Sequence, residues 1–324
     1  MQYGFSIKRK CYLLSVLLMT VWLTGCVQEE FESTPSPAGN GIRFTLTVPD
    51  VNLPSVSSRT MTGTGTAKKE DEIETVDILV FDMSKTPAVF LEWASATEVT
   101  QDLADNSTVS FSAVLSPTTA STCIVVVANK ELDGIVSGFT KGVTTKVRAM
   151  EEMLHTQTGK WLADGSTTGG YTRIPMYGEK VISKITPSMN PITDINMKRM
   201  LARIDIRNNS VTSNFTVEEV YLANYNTTGY IAPAWNTNGQ VTEPAPDTPV
   251  LPTGSGKMTE EGNAILYSVN GNTPYDGEIY TFESLAAGDA GGAGQDGEAS
   301  RKDATCLIVK GKIGTGESTF YRVD

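Results

Sequence analysis

The chain has 324 residues, 40% of them hydrophobic and 19% charged, with a formal net charge of −11. That length allows two domains of ordinary size, each burying its own core, and the acidic balance argues against nucleic-acid binding, which needs a basic footprint on phosphate. A single histidine, His155, removes any multi-histidine metal site, and 8% aromatic content is thin for a stacking platform on sugars or bases, so composition leans away from an enzyme.

The N-terminus carries an address. Lys8, Arg9 and Lys10 precede an apolar run from Cys11 to Leu23, too short to cross a bilayer as a helix of about 20 residues but matched to the h-region of a secretory signal. Leu23-Thr24-Gly25-Cys26 follows and reads as a bacterial lipobox, with signal cleavage between Gly25 and Cys26 and lipid on the Cys26 thiol. Removing residues 1–25 takes three cations and no anions from the net charge of −11, leaving −14. Gln28, Glu29, Glu30 and Glu32 come next, a solvated linker or part of an export signal.

From residue 41 onward the pattern is alternation with period 2. Ile42, Phe44, Leu46 and Val48 face one way, with Arg43, Thr45 and Thr47 opposite. TVDILVF sets Val76, Ile78 and Val80 on one face, and VSFSAVL alternates through Val109, Phe111, Ala113 and Leu115. CIVVVA is apolar on both faces and predicts a central strand covered on both sides. Val147, Met150 and Leu154 recur at helical spacing, with Thr144 or Thr145 as N-cap, His155 at the helix end, and Glu151 and Glu152 on its solvated face. RMLARIDIR buries Met200, Ala202, Ile204 and Ile206 with Arg203, Asp205 and Arg207 outward. In FTVEEVYL the apolar face shifts by one at Glu218-Glu219, as a β-bulge would shift it. Further strands are predicted at Tyr280–Glu283, Cys306–Lys310 and Phe320–Val323.

With Cys11 lost in the signal and Cys26 lipidated, Cys123 and Cys306 remain, each inside an apolar strand. An oxidising envelope permits a bridge, but nothing in the spacing asks for one, and two separate buried thiols are expected. The Ser/Thr/Gly-rich stretch 55–69, the Pro244–Pro252 run and the Gly/Asp-rich stretch 288–297 are connectors. The last contains GAGQDG, which lacks the strand before and the helix after that a pyrophosphate site requires; its acidic residues offer only weak grounds for calcium.

Several segments taken together resemble one family, the Bacteroidota fimbrillins or FimA-like major fimbrial subunits. They are LTGC, IRFTLTV leading to SVSSRT, ETVDILVFD, IPMYGE (Ile174–Glu179), KRMLARIDI (Lys198–Ile206), EIYTFES (Glu278–Ser284), and TCLIVKGKI leading into FYRVD. The acidic patch after Cys26 likewise resembles the surface-export signals of lipoproteins from that phylum. The resemblance implies an all-β fold of two tandem transthyretin-like β-sandwich domains with one short helix in the first. The expected layout is a lipoprotein signal peptide over 1–25, a propeptide with a removable first strand over 26–59, an N-terminal sandwich over 60–196 and a C-terminal sandwich over 197–324. It further implies a subunit of a surface fimbria, anchored in the outer membrane through Cys26. An Arg-specific protease would cut between Arg59 and Thr60, and other fimbrial subunits would then bind by strand exchange.

The residues agree with that mechanism. Burying Ile42, Phe44, Leu46 and Val48 is worth about 1.5–3 kcal/mol each, so losing the strand uncovers about 6–12 kcal/mol of gross burial. Such a slot receives a strand from another chain well. Arg59 lies in a pairing-poor connector open to a protease, with Lys68 and Lys69 as further targets; Arg43, inside a hydrogen-bonded strand, is protected. The family's members continue past the position where FYRVD ends here, and their C-terminal segment supplies the donor strand. The expectation is therefore a fragment, or a subunit that accepts but does not donate. Two other functions compete. One is a monomeric surface lipoprotein binding glycan through Trp93, Trp161, Trp235 and the Tyr221/Tyr225/Tyr230 group. The other is an envelope hydrolase using Asp102 and Asp105. No catalytic residue, cofactor or metal is assigned.

Overall fold

A computed structural model of the chain describes residues 42–47, 70–101, 108–162, 172–206, 214–243, 249–253, 264–268, 275–284 and 304–324. These lie within one unit, Ile42–Asp324. In chain order the strands are β1 (Ile42–Thr47), β2 (Val76–Asp82), β3 (Val89–Ser95), β4 (Thr97–Gln101), β5 (Thr108–Ala113), β6 (Thr122–Ala128), β7 (Leu154–Thr156), β8 (Met176–Ile182) and β9 (Ile192–Asn196). They continue with β10 (Lys198–Arg199), β11 (Leu201–Ile206), β12 (Phe215–Ala223), β13 (Thr228–Tyr230), β14 (Ile265–Ser268), β15 (Tyr275–Phe282), β16 (Cys306–Ile313) and β17 (Thr319–Val323). Two helical segments, α1 (Asp133–Val136) and α2 (Lys146–Glu152), fall between β6 and β7.

The fold is an all-β sandwich architecture. A four-stranded sheet in the order β4-β5-β1-β9 packs on a five-stranded sheet in the order β10-β8-β6-β2-β3. Their shared core holds Phe44, Val109 and Phe111 from the first sheet against Ile78, Val80, Ile124 and Val126 from the second. The five-stranded sheet is buried on its other face too, where Leu79, Phe81, Val125 and Tyr177 meet Ala149, Met150 and Met153 around α2, and Tyr280 and Phe282 of β15. That double burial explains the apolar run of β6, every residue of which is buried, and it also buries both faces of β2. A second pair of sheets, β11-β15 and β14-β12-β16-β17, encloses a third core around Val217, Val220, Leu222 and Tyr267.

The glycine of IPMYGE has a steric reason. A Cβ on Gly178 would stand 2.7 Å from Met197 Sδ and 2.9 Å from Ile195 Cγ2, so the β9–β10 segment closes onto β8 only because no side chain is there. The bulge in β12 is present where the alternation shifts, with the β12–β16 register breaking between Val217 and Glu219.

Two elements depart from expectation. The buried stripe of α2 is Lys146, Ala149 and Met150, followed by Met153, whereas Val147 is half-buried and Leu154 has passed into β7 together with His155. Thr145 is the N-cap, its hydroxyl accepting from Arg148 N at 3.2 Å. In β11, Ala202 is exposed while Arg203 is largely buried, because its guanidinium is held by Glu70 rather than by water.

Candidate functional site

The site is the seat of β1. This strand is interior to its sheet: it pairs antiparallel with β5 through six consecutive residues, Ile42 opposite Ala113 to Thr47 opposite Thr108. On its other side it pairs parallel with β9, with a register break between Phe44 and Leu46. The carbonyl of Thr47 accepts from Met197 N at 2.9 Å. Ile42 and Phe44 point into the first core and Arg43 points out, as alternation requires. Phe44 is 1% exposed, and its ring stacks on Phe111 with centroids 4.9 Å apart and planes 6° from parallel. The side chain of Leu46 lies outside the described residues, as do Val48, Arg59, Thr60, Gly25 and Cys26.

The chain resumes its described course at Glu70, and there it is clasped. Glu70, 5% exposed, takes both carboxylate oxygens to Arg203 Nη1 at 2.8 Å and accepts from the Tyr280 hydroxyl at 2.6 Å. Arg199 bonds the Glu70 carbonyl at 3.2 Å and pairs with Asp71. Gln101 at the end of β4 donates to the Asp71 carbonyl at 2.6 Å, and its own carbonyl oxygen accepts from Ile73 N. Residues 48–69, which carry Arg59, therefore connect two fixed points: the end of β1 and this clasp. Nothing in the hydropathy pattern marks Glu70 as buried, because only its distant partners make burial affordable.

Other candidates are dispersed. Trp161 is buried in the second core, Trp93 and Trp235 are half-buried against that same core, with Tyr230 edge-on to Trp235 at 4.8 Å, and Tyr221 meets Phe320 of β17 at 6.5 Å. Tyr225 is buried in the third core, so the tryptophans and this tyrosine divide between two cores. Asp102 and Asp105 lie outside the described residues, and so does GAGQDG. No group of three or more His, Cys, Asp or Glu among the described residues is arranged to hold a metal ion.

The reactive groups that are described are held in inert states. Cys123 and Cys306 are separate buried thiols. Burial pushes the Cys123 thiol up to about 12, against the opposing pull of the Lys146 charge. Lys146, fully buried, pairs with Glu179 at 2.6 Å, and the Tyr177 hydroxyl donates to the same Glu179 oxygen at 2.5 Å. Burial also pushes His155 down to about 4, helped by Lys130, and its ring lies 5.0 Å from that of Trp161.

Comparison with known proteins gives one family. Residues 42–199 match the family model described as major fimbrial subunit protein (FimA), a span that opens on the first residue of β1 and closes on the last of β10. Similar solved structures include a fimbrial assembly protein from Parabacteroides distasonis, 12% identical, covering 87% of this chain and 85% of that one with a TM-score of 0.40. Another is the tip fimbrial protein Mfa3 from Porphyromonas gingivalis with a C-terminal truncation, 15% identical, covering 87% and 81% with a TM-score of 0.41. No curated protein matches the chain significantly. Over residues 42–199, from β1 to β10, this chain is similar to the major fimbrial subunit (FimA) family.

Proposed function

We propose that the protein is a structural subunit of a cell-surface fimbria that supports adhesion, and that its first strand is a removable placeholder. The observation that carries this reading is the position of β1, an interior strand hydrogen-bonded on both sides yet joined to the rest of the chain through the Ser/Thr/Gly-rich connector that holds Arg59. Export proceeds as a lipoprotein on Cys26 in the outer membrane. An Arg-specific protease cuts after Arg59, leaving Thr60 as the new N-terminus of two tandem sandwiches, 60–196 and 197–324. The seat between β5 and β9 then receives a strand from another fimbrial subunit by β-augmentation.

Burial of Ile42 and Phe44 alone supports about 3–6 kcal/mol of that exchange, a large share of an ordinary domain's stability of about 5–15 kcal/mol. An empty seat is thus costly, and a replacement strand is strongly drawn in. The test compares thermal unfolding of the precursor, of protein trimmed in the connector and freed of β1, and of trimmed protein with a peptide covering residues 41–49. The expected order is a fall on trimming and a recovery with peptide; an unchanged melting temperature on trimming refutes the placeholder role. Fatty-acid labelling of cells tests the anchor, with label expected on the wild type and absent from Cys26→Ala.

A further inference from the structure

We infer that Phe111 of β5 is the specificity-determining residue of the β1 seat, selecting an entering strand with a planar aromatic side chain flanked two residues away by aliphatic ones. This inference rests on the strand-replacement reading above. The ladder to β5 runs unbroken over six pairs, whereas the ladder to β9 breaks between Phe44 and Leu46, so the β5 side is the one that reads register. The inward residues of β5 differ sharply in shape: branched Val109, aromatic Phe111 and small Ala113. Phe44 lies directly opposite Phe111, with rings stacked nearly parallel at 4.9 Å. Ile42 lies opposite Ala113, whose small side chain leaves room for a branched one.

A strand that slips by two residues keeps its apolar face inward and most of its backbone bonds. The slip would, however, move its aromatic ring onto Ala113 or Val109 and set an aliphatic chain on Phe111. Backbone pairing and simple hydrophobicity cannot penalise that slip; the stacked pair can. The occupant is therefore an extended aliphatic-x-aromatic segment running antiparallel to β5.

The experiment uses the full chain with a protease site placed within residues 48–69, cut so that β1 stays seated. It is then challenged with labelled peptides covering residues 41–49 that carry Phe or Leu at position 44. Exchange at equilibrium should favour the Phe peptide by about two- to tenfold, the value of an aromatic pair beyond its burial. In Phe111→Leu the preference should fall to near one, and in Phe111→Tyr, which keeps the ring, it should persist. Equal uptake of the two peptides by the wild-type protein overturns the inference without touching strand replacement, whether or not Phe111→Leu folds. A preference unchanged in Phe111→Leu does the same. Failure of every peptide to exchange, even after denaturation and refolding with peptide in excess, overturns strand replacement and the inference with it.

Discussion

Arg203 Nη1 lies 2.8 Å from both carboxylate oxygens of Glu70, joining the residue that follows the connector to β11, far along the chain. The two side chains are 12% and 6% exposed, so this is a buried pair. The Tyr280 hydroxyl adds a bond from β15 to Glu70 Oε1. The clasp fixes the chain ahead of β2 through Arg199, Arg203, Tyr280 and Gln101, none of which belongs to β1.

Glu70→Ala should therefore destabilise the protein by about 3–5 kcal/mol, because Arg203 is left as a buried charge without its carboxylate. Glu70→Ala combined with Arg203→Met should cost less than the sum of the single changes. Urea unfolding of the three variants measures the coupling, and strict additivity would show that the pair does not act as a unit.

Lys146 offers a second test. Its ammonium is fully buried and balanced by Glu179, which also takes the Tyr177 hydroxyl. Lys146→Ala should cost about 3–5 kcal/mol by stranding the carboxylate. Lys146→Met with Glu179→Gln should recover most of that loss, since the apolar chain refills the space and the charge is gone. Melting temperatures of the single and double variants decide it.

His155 is the chain's one histidine, so its proton NMR signals can be assigned without ambiguity. They should titrate with a midpoint near about 4, because burial and Lys130 disfavour the charged ring. In the unfolded chain the same group takes its proton near about 6.5. Between those values the unfolded state binds more protons. This contribution to stability is present above about pH 6.5 and is lost as pH falls towards 4. His155→Phe should flatten that part of the stability profile, and a wild-type midpoint at the ordinary histidine value would remove the basis for it.

Cys123 should be silent to alkylation at pH 8, its thiol held protonated by burial up to about 12 and shielded within β6. Cys306 is buried as well. Mass spectrometry after iodoacetamide should find neither labelled in the folded protein and both labelled in urea; labelling of native Cys123 would mean that the middle sheet opens readily.

Strand alternation made β1, β5, β6 and β12 legible from the chain alone, down to the bulge at Glu218, because residues i and i+2 of a strand record its two faces directly. The same logic found the inward-facing Ile42 and Phe44 and the double burial of β6. It could not say which strands adjoin β1, since pairing with β5 and β9 joins distant parts of the chain and leaves no local trace. It also misread α2 and β11 wherever a charge turns inward. Lysine and arginine read as solvent-facing in any pattern, yet Lys146 and Arg203 are inside because Glu179 and Glu70 meet them there. Hydrophobic periodicity is a property of neighbours in sequence. Burial of a charge depends on a partner brought from elsewhere, and only the tertiary structure supplies one.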